Sequence, residues 1–64
     1  MKYEIGDILI LGSAKITGVV LEVDDENMPI LYRVFLQSTL SPTWVSQTHV
    51  VDLIYRPQSN SDTE

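Results

Sequence analysis

The sequence predicts an all-β domain: five short strands rolled into a small barrel, with one 3₁₀ turn before the last strand. Three observations lead there. β-branched and aromatic residues crowd into short runs, such as GVVLEV from Gly18 and YRVFL from Tyr32. Within the runs apolar and mixed positions alternate, which is the period of a strand. Glycine, proline, aspartate and asparagine punctuate the runs as turn formers.

Length supports the same class. The chain has 64 residues and no cysteine, so neither a disulfide framework nor a thiolate metal site can staple it. A chain this short buries only about 60% of the surface it exposes when unfolded. A closed or nearly closed sheet is an economical way to bury enough of it.

In chain order, Met1–Gly6 leads in, and the Gly6-Asp7 pair marks a turn before a first strand, Asp7–Leu11. The Asp7 side chain is expected to bond nearby backbone at that turn. Gly12–Ala14 is a short loop and Lys15–Val23 the second strand. Gly18 within it signals a bulge, a barrel corner or the close approach of another strand. A helix over this stretch is disfavoured by Gly18 and the paired valines Val19 and Val20.

Asp24–Pro29 is a polar hairpin turn, and Pro29, having no N–H, marks the entrance to the third strand, Ile30–Gln37. There Ile30, Tyr32, Val34 and Leu36 share one face, with Leu31, Arg33, Phe35 and Gln37 opposite. Ser38–Pro42 reads as a loop, Thr43–Gln47 as the fourth strand, Thr48–Val50 as a single 3₁₀ turn and Val51–Tyr55 as the fifth strand. One domain over residues 1–56 follows, with 57–64 a polar tail expected to be disordered. The expected core is Ile8, Ile10, Val19, Leu21, Val23, Tyr32, Val34, Leu36, Val45, Val50 and Leu53.

Charge narrows the partners. The net charge is −5, and the only cations are Lys2, Lys15, Arg33 and Arg56, scattered along the chain. Phosphate binding needs clustered Lys and Arg, so nucleic acid is a disfavoured partner. Acidity also disfavours anionic membranes. The longest apolar run, ILIL at Ile8–Leu11, falls far short of the ~20 residues of a membrane helix. The opening MKYEIGD has charge and glycine where a secretory signal has an apolar core. With no cysteine present, a cytoplasmic location is the expectation.

No chemistry-bearing set emerges. Ser46, His49 and Asp52 span too short a stretch to arrange nucleophile, base and orienter around a pocket. His49 is the sole histidine and has no second imidazole or thiolate with which to share a metal. The glycines at 6, 12 and 18 lack the spacing of a phosphate loop. Asp24, Asp25, Glu26 and Asn27 lack the alternation, central glycine and distal glutamate of a calcium loop, and read as a solvated turn. The expectation is a protein that is not an enzyme, with no cofactor and no metal.

What remains is a set of candidate partner-binding residues: Phe35, Trp44, Leu31 and Arg33. Trp44 serves either as a core or rim plug or as an interface anchor. Phe35 is either covered by Leu40 or the chain ends, or part of an exposed apolar patch. Ile54, Phe35 and Leu31 could form a self-complementary patch, giving a monomer or a weak homodimer.

The segments GDILIL, GVVLEV, YRVFL and WVSQTHVVDLI together resemble a Src-homology-3-like small barrel of the Tudor and KOW type, over roughly Glu4 to Tyr55. Such domains have five strands with a short 3₁₀ turn before the last. Small bacterial and phage proteins are similar too, as is the stromal barrel subunit of photosystem I, whose first loop is longer than this one. Barrels of this kind host unrelated functions. The Tudor resemblance implies an aromatic cage for methylated Lys or Arg. Phe35, Trp44 and Tyr32 could contribute to one, but Tyr32 is expected to face inward and Gly12–Ala14 has no aromatic, so the cage is incomplete. The expected function is a non-catalytic protein-interaction or adaptor module, such as a phage or bacterial accessory protein. The alternative implied by the KOW resemblance is a nucleic-acid-associated module in transcription or translation.

Overall fold

A computed structural model describes residues 2–57, so the expected disorder of the tail beyond Pro57 lies outside the described residues. Five strands form: β1 (Ile8–Leu11), β2 (Ile16–Asp24), β3 (Leu31–Leu36), β4 (Ser41–Ser46) and β5 (Val50–Tyr55). A 3₁₀ turn, Gln47–His49, precedes β5, one residue earlier than the sequence predicts. All strands pair antiparallel in one sheet ordered β4-β3-β2-β1-β5. The first four run as a meander, and the 3₁₀ turn carries the chain back so that β5 pairs with β1. The sheet is open, with β4 and β5 as its edges. Among the described residues no helix is long and apolar enough to cross a membrane.

Two of the three connections in the meander are four-residue turns, 12–15 and 37–40. Lys15 N–H donates to Gly12 O (3.1 Å) between β1 and β2, and Leu40 N–H donates to Leu36 O (2.9 Å) between β3 and β4. Both turns need a left-handed residue before the next strand, filled by Lys15 (φ 57°) and Leu40 (φ 54°). β4 starts at Ser41, two residues before the sequence predicts, and takes in Pro42. Its edge position explains this, because a strand edge tolerates a residue without an N–H.

Leu9, Leu11, Val20, Ile30, Tyr32 and Val34 are buried as the core, with Tyr3, Val23, Leu36, Val45, Val50 and Leu53 packed around them. The inward face of β3 is as expected. The expected phase of β1 and the first half of β2 is reversed. Ile8, Ile10 and Val19 are half-buried and Leu21 is exposed, while Leu9, Leu11 and Val20 take the interior. In β1 the run ILIL is apolar at both phases, so alternation selects neither. In β2 the pairing slips between Val20 and Glu22, leaving Leu21 without a partner on β3. That bulge resets the period, which is why Val23 still packs inward as expected.

Gly18 is not the bulge. It is buried where strands approach closely: a Cβ there would lie 3.1 Å from Leu11 Cδ1 and 3.4 Å from both Leu36 Cδ2 and Val34 Cβ.

Two buried polar side chains, Tyr32 and Asp7, are hydrogen-bonded to partly exposed partners. Tyr32 is fully buried, and its hydroxyl donates to Gln47 Oε1 (2.7 Å) and accepts from Tyr3 N–H (3.0 Å). Its ring meets Tyr3 edge-to-face at 5.7 Å. The apolar body thus fills the core while the polar tip ties the lead-in to the 3₁₀ turn. Asp7 accepts from Glu4 N–H (2.8 Å), as a turn aspartate should. It also accepts from Arg56, a partner the sequence did not suggest.

Candidate functional site: the outer sheet face

Directly paired residues in an antiparallel sheet present their side chains on the same face. The register therefore writes out the outer surface row by row. Pro42, Phe35, Val19, Ile8 and Tyr55 are paired in succession from β4 through β3, β2 and β1 to β5. This row crosses the whole sheet without a charged residue. Next to it, Trp44 pairs with Arg33 and Arg33 with Glu22. Beyond that, Ser46 pairs with Leu31 and Leu31 with Asp24. Leu31, Arg33 and Phe35 lie two residues apart on β3, about 7 Å from one to the next.

The structure thus brings the four sequence candidates together. Leu31, Arg33 and Phe35 share the outer face of β3, and Trp44 stands opposite Arg33 on β4. Trp44 is 49% exposed and Phe35 37% exposed, so neither is a core plug. Leu40, the residue expected to cover Phe35, is itself 72% exposed. Tyr32 faces inward, as expected, and contributes no wall to an aromatic cage. Ile54 is exposed at the far edge of the sheet, with β2 and β1 between it and Phe35.

Sequence reasoning missed the contributions of Val19, Ile8, Tyr55 and Pro42. The phase error in β1 and β2 hid Val19 and Ile8, and the loop assignment hid Pro42. Bulges on β5 disguised its face too. Its pairing with β1 skips Ile54 and Val51, so strict alternation along VVDLIY does not hold.

Charge is sorted along this face. The Glu22 carboxylate pairs with Arg33 (Nη1–Oε2 3.0 Å). Lys2 reaches across to Asp25, and this ion pair holds the Asp25 carboxyl below the usual range and the Lys2 ammonium above its own. A hollow of about 310 Å³ opens at this end, lined by Glu22, Val23, Asp24, Asp25, Glu26 and Trp44. Asp24 Oδ1 accepts from Glu26 N–H (3.3 Å) in the turn. Asp24 and Glu26 face no Lys or Arg in an ion pair among the described residues.

A second, more apolar cleft of about 450 Å³ lies between the lead-in and the 3₁₀ turn, lined by Lys2, Met28, Pro29, Ile30, Gln47 and Thr48. The Met28–Pro29 peptide at its rim is cis.

The Ser46 and Asp52 side chains bond groups close by in the chain. Ser46 Oγ caps the 3₁₀ turn through Thr48 N–H (3.2 Å) and lies 2.9 Å from Thr48 Oγ1. Asp52 Oδ1 accepts from the following amide, Leu53 N–H (2.8 Å), and His49 is exposed. Among the described residues no three of His, Asp and Glu converge to hold a metal ion. No family model, curated protein or solved structure matches the chain.

Proposed function

We propose that this chain is a non-catalytic protein-interaction module, built as a Src-homology-3-like small sheet of the Tudor and KOW type. The five-stranded order with a 3₁₀ turn before the last strand supports the fold assignment. The observation that carries the function is the outer face: Phe35, Trp44 and Leu31 stand exposed together on adjacent strands, continuous with a row of apolar residues across the sheet. Exposed apolar patches on small soluble domains mark interaction sites, and aromatic residues dominate their energetics.

Nucleic acid ranks below a protein as the partner. Lys2, Arg33 and Arg56 each pair with a carboxylate of the same chain, which leaves Lys15 as the one cation outside an ion pair among the described residues. A phosphate-binding surface would need those charges free and clustered.

The test is capture from lysate of the source cells with the native chain and with a folded Phe35→Ala, Trp44→Ala double variant. A discrete protein retained at high salt by the native chain and lost by the variant supports the module. Equal retention by both removes the site. Nucleic acid recovered at low salt alone shifts the assignment to the KOW-like alternative.

A further inference from the structure

We infer that the β3–β4 half of the outer face, together with the acidic hollow beside Trp44, docks an extended protein segment that carries Lys or Arg next to apolar side chains. This deepens the interaction-module reading and rests on it. The apolar part of the surface is Leu31, Phe35, Pro42 and the flank of Trp44, on two neighbouring strands. The hollow shares Trp44 as a wall, with Asp24 and Glu26 on the same rim. A Lys or Arg entering there meets carboxylates at its charged head and the indole along its stem. An apolar neighbour on the same segment then reaches Phe35 or Leu31.

Charge selects this occupant over the others. Glu22 and Asp25 are already balanced by Arg33 and Lys2, so Asp24, whose Oδ1 also accepts from Glu26 N–H, and Glu26 are the carboxylates on this rim outside an ion pair among the described residues. The chain as a whole is at −5, which steers cationic partners toward it and opposes a second copy of itself or a polyanion. Charge complementarity therefore names a basic, apolar-flanked segment and not a homodimer.

The experiment is selection of a random dodecapeptide library displayed on phage against the immobilised full chain, followed by titration of the enriched peptides in solution. Enrichment of Lys or Arg close to aliphatic or aromatic residues is expected. Trp44→Ala should weaken such peptides about tenfold or more. An Asp24→Asn, Glu26→Gln double variant should weaken them about fivefold, with the difference shrinking as salt is added. Phe35→Ala serves as the second variant should Trp44→Ala lose its circular dichroism signature. Neutral or acidic enriched peptides that ignore the double charge variant, yet need Trp44, overturn the basic partner and leave the docking face standing. Peptides indifferent to Trp44 and Phe35 overturn both. No enrichment overturns the inference of a short basic segment. A concentration-dependent dimer that Trp44→Ala converts to monomer overturns it in favour of self-association.

Discussion

Arg56 grips Asp7 from 49 residues away, with Nη2 2.7 Å from Oδ2 and Nε 3.0 and 3.1 Å from the two carboxylate oxygens. Asp7 is fully buried and Arg56 part-exposed, so the pair clamps the entry to β1 against the exit from β5. Around the clamp, Gly6 N–H donates to Val20 O and Val20 N–H donates to Asp7 O, both at 2.9 Å. A carboxylate buried in this way must keep its hydrogen bonds, because unmade ones carry the full desolvation cost.

Asp7→Asn should therefore destabilise the fold by about 2 kcal/mol, the range for leaving a buried polar site poorly satisfied. Urea unfolding of both proteins at neutral pH measures it. A difference within error would show that the clamp contributes nothing net.

The same pair sets an acid dependence. The Arg56 hydrogen bonds, aided by the Glu4 amide and opposed by burial, hold the Asp7 carboxyl below its ordinary range. A carboxyl depressed in the folded state adds stability that is complete above the unfolded value of about 3.9. That stability is lost as pH falls through the folded value. The native chain should thus weaken steeply below about pH 4, and Asp7→Asn should show a shallower slope there. Some slope remains in the variant, since Lys2 lowers the Asp25 carboxyl as well. Parallel melting curves across acid pH decide the matter, and identical slopes would count against the clamp.

Tyr32→Phe keeps the ring but strips Gln47 Oε1 and Tyr3 N–H of a shared partner. The expected loss is about 1–2 kcal/mol in denaturant unfolding. Amide exchange should quicken at Tyr3 ahead of the β2–β3 ladder, because the bond ties the lead-in to the 3₁₀ turn.

Leu40 holds a left-handed φ of 54° while 72% exposed, so its side chain returns little burial for the backbone strain. Leu40→Gly should stabilise the chain by about 1 kcal/mol. Gly18→Val should do the opposite, costing about 1–3 kcal/mol, since the first added carbon already meets Leu11 at 3.1 Å. A stabilising Gly18→Val would contradict the packing of β2 against β1 and β3.

Much of this was legible in the residues themselves. Alternation through Ile30–Leu36 assigned β3 its inner and outer faces correctly, because Tyr32 and Val34 alternate with Arg33. The 3₁₀ turn was visible in the brevity of the segment between Trp44-Val45 and the closing valines. The phase of β1 was not legible, since four consecutive apolar residues carry no alternation. Nor was the bulge at Leu21, which no glycine marks and which tertiary pairing with Arg33 and Val34 decides. The Asp7–Arg56 clamp is a contact between chain ends, and local sequence patterns do not register such contacts. At the candidate site, strand phase placed Leu31, Arg33 and Phe35 on one face of β3, whereas the pairing that sets Trp44 opposite Arg33 came with the structure. The union of Trp44 with Asp24 and Glu26 in one hollow required the three-dimensional path of the hairpin.

The most direct measurement is a backbone and indole amide NMR footprint of the full chain, titrated with an enriched basic peptide. Shift changes confined to Leu31, Arg33, Phe35, the Trp44 indole and the Asp24–Glu26 turn are the expected result. Changes centred instead on the Met28, Gln47 and Thr48 cleft, with the outer face unmoved, would contradict the assignment of the outer face as the docking surface.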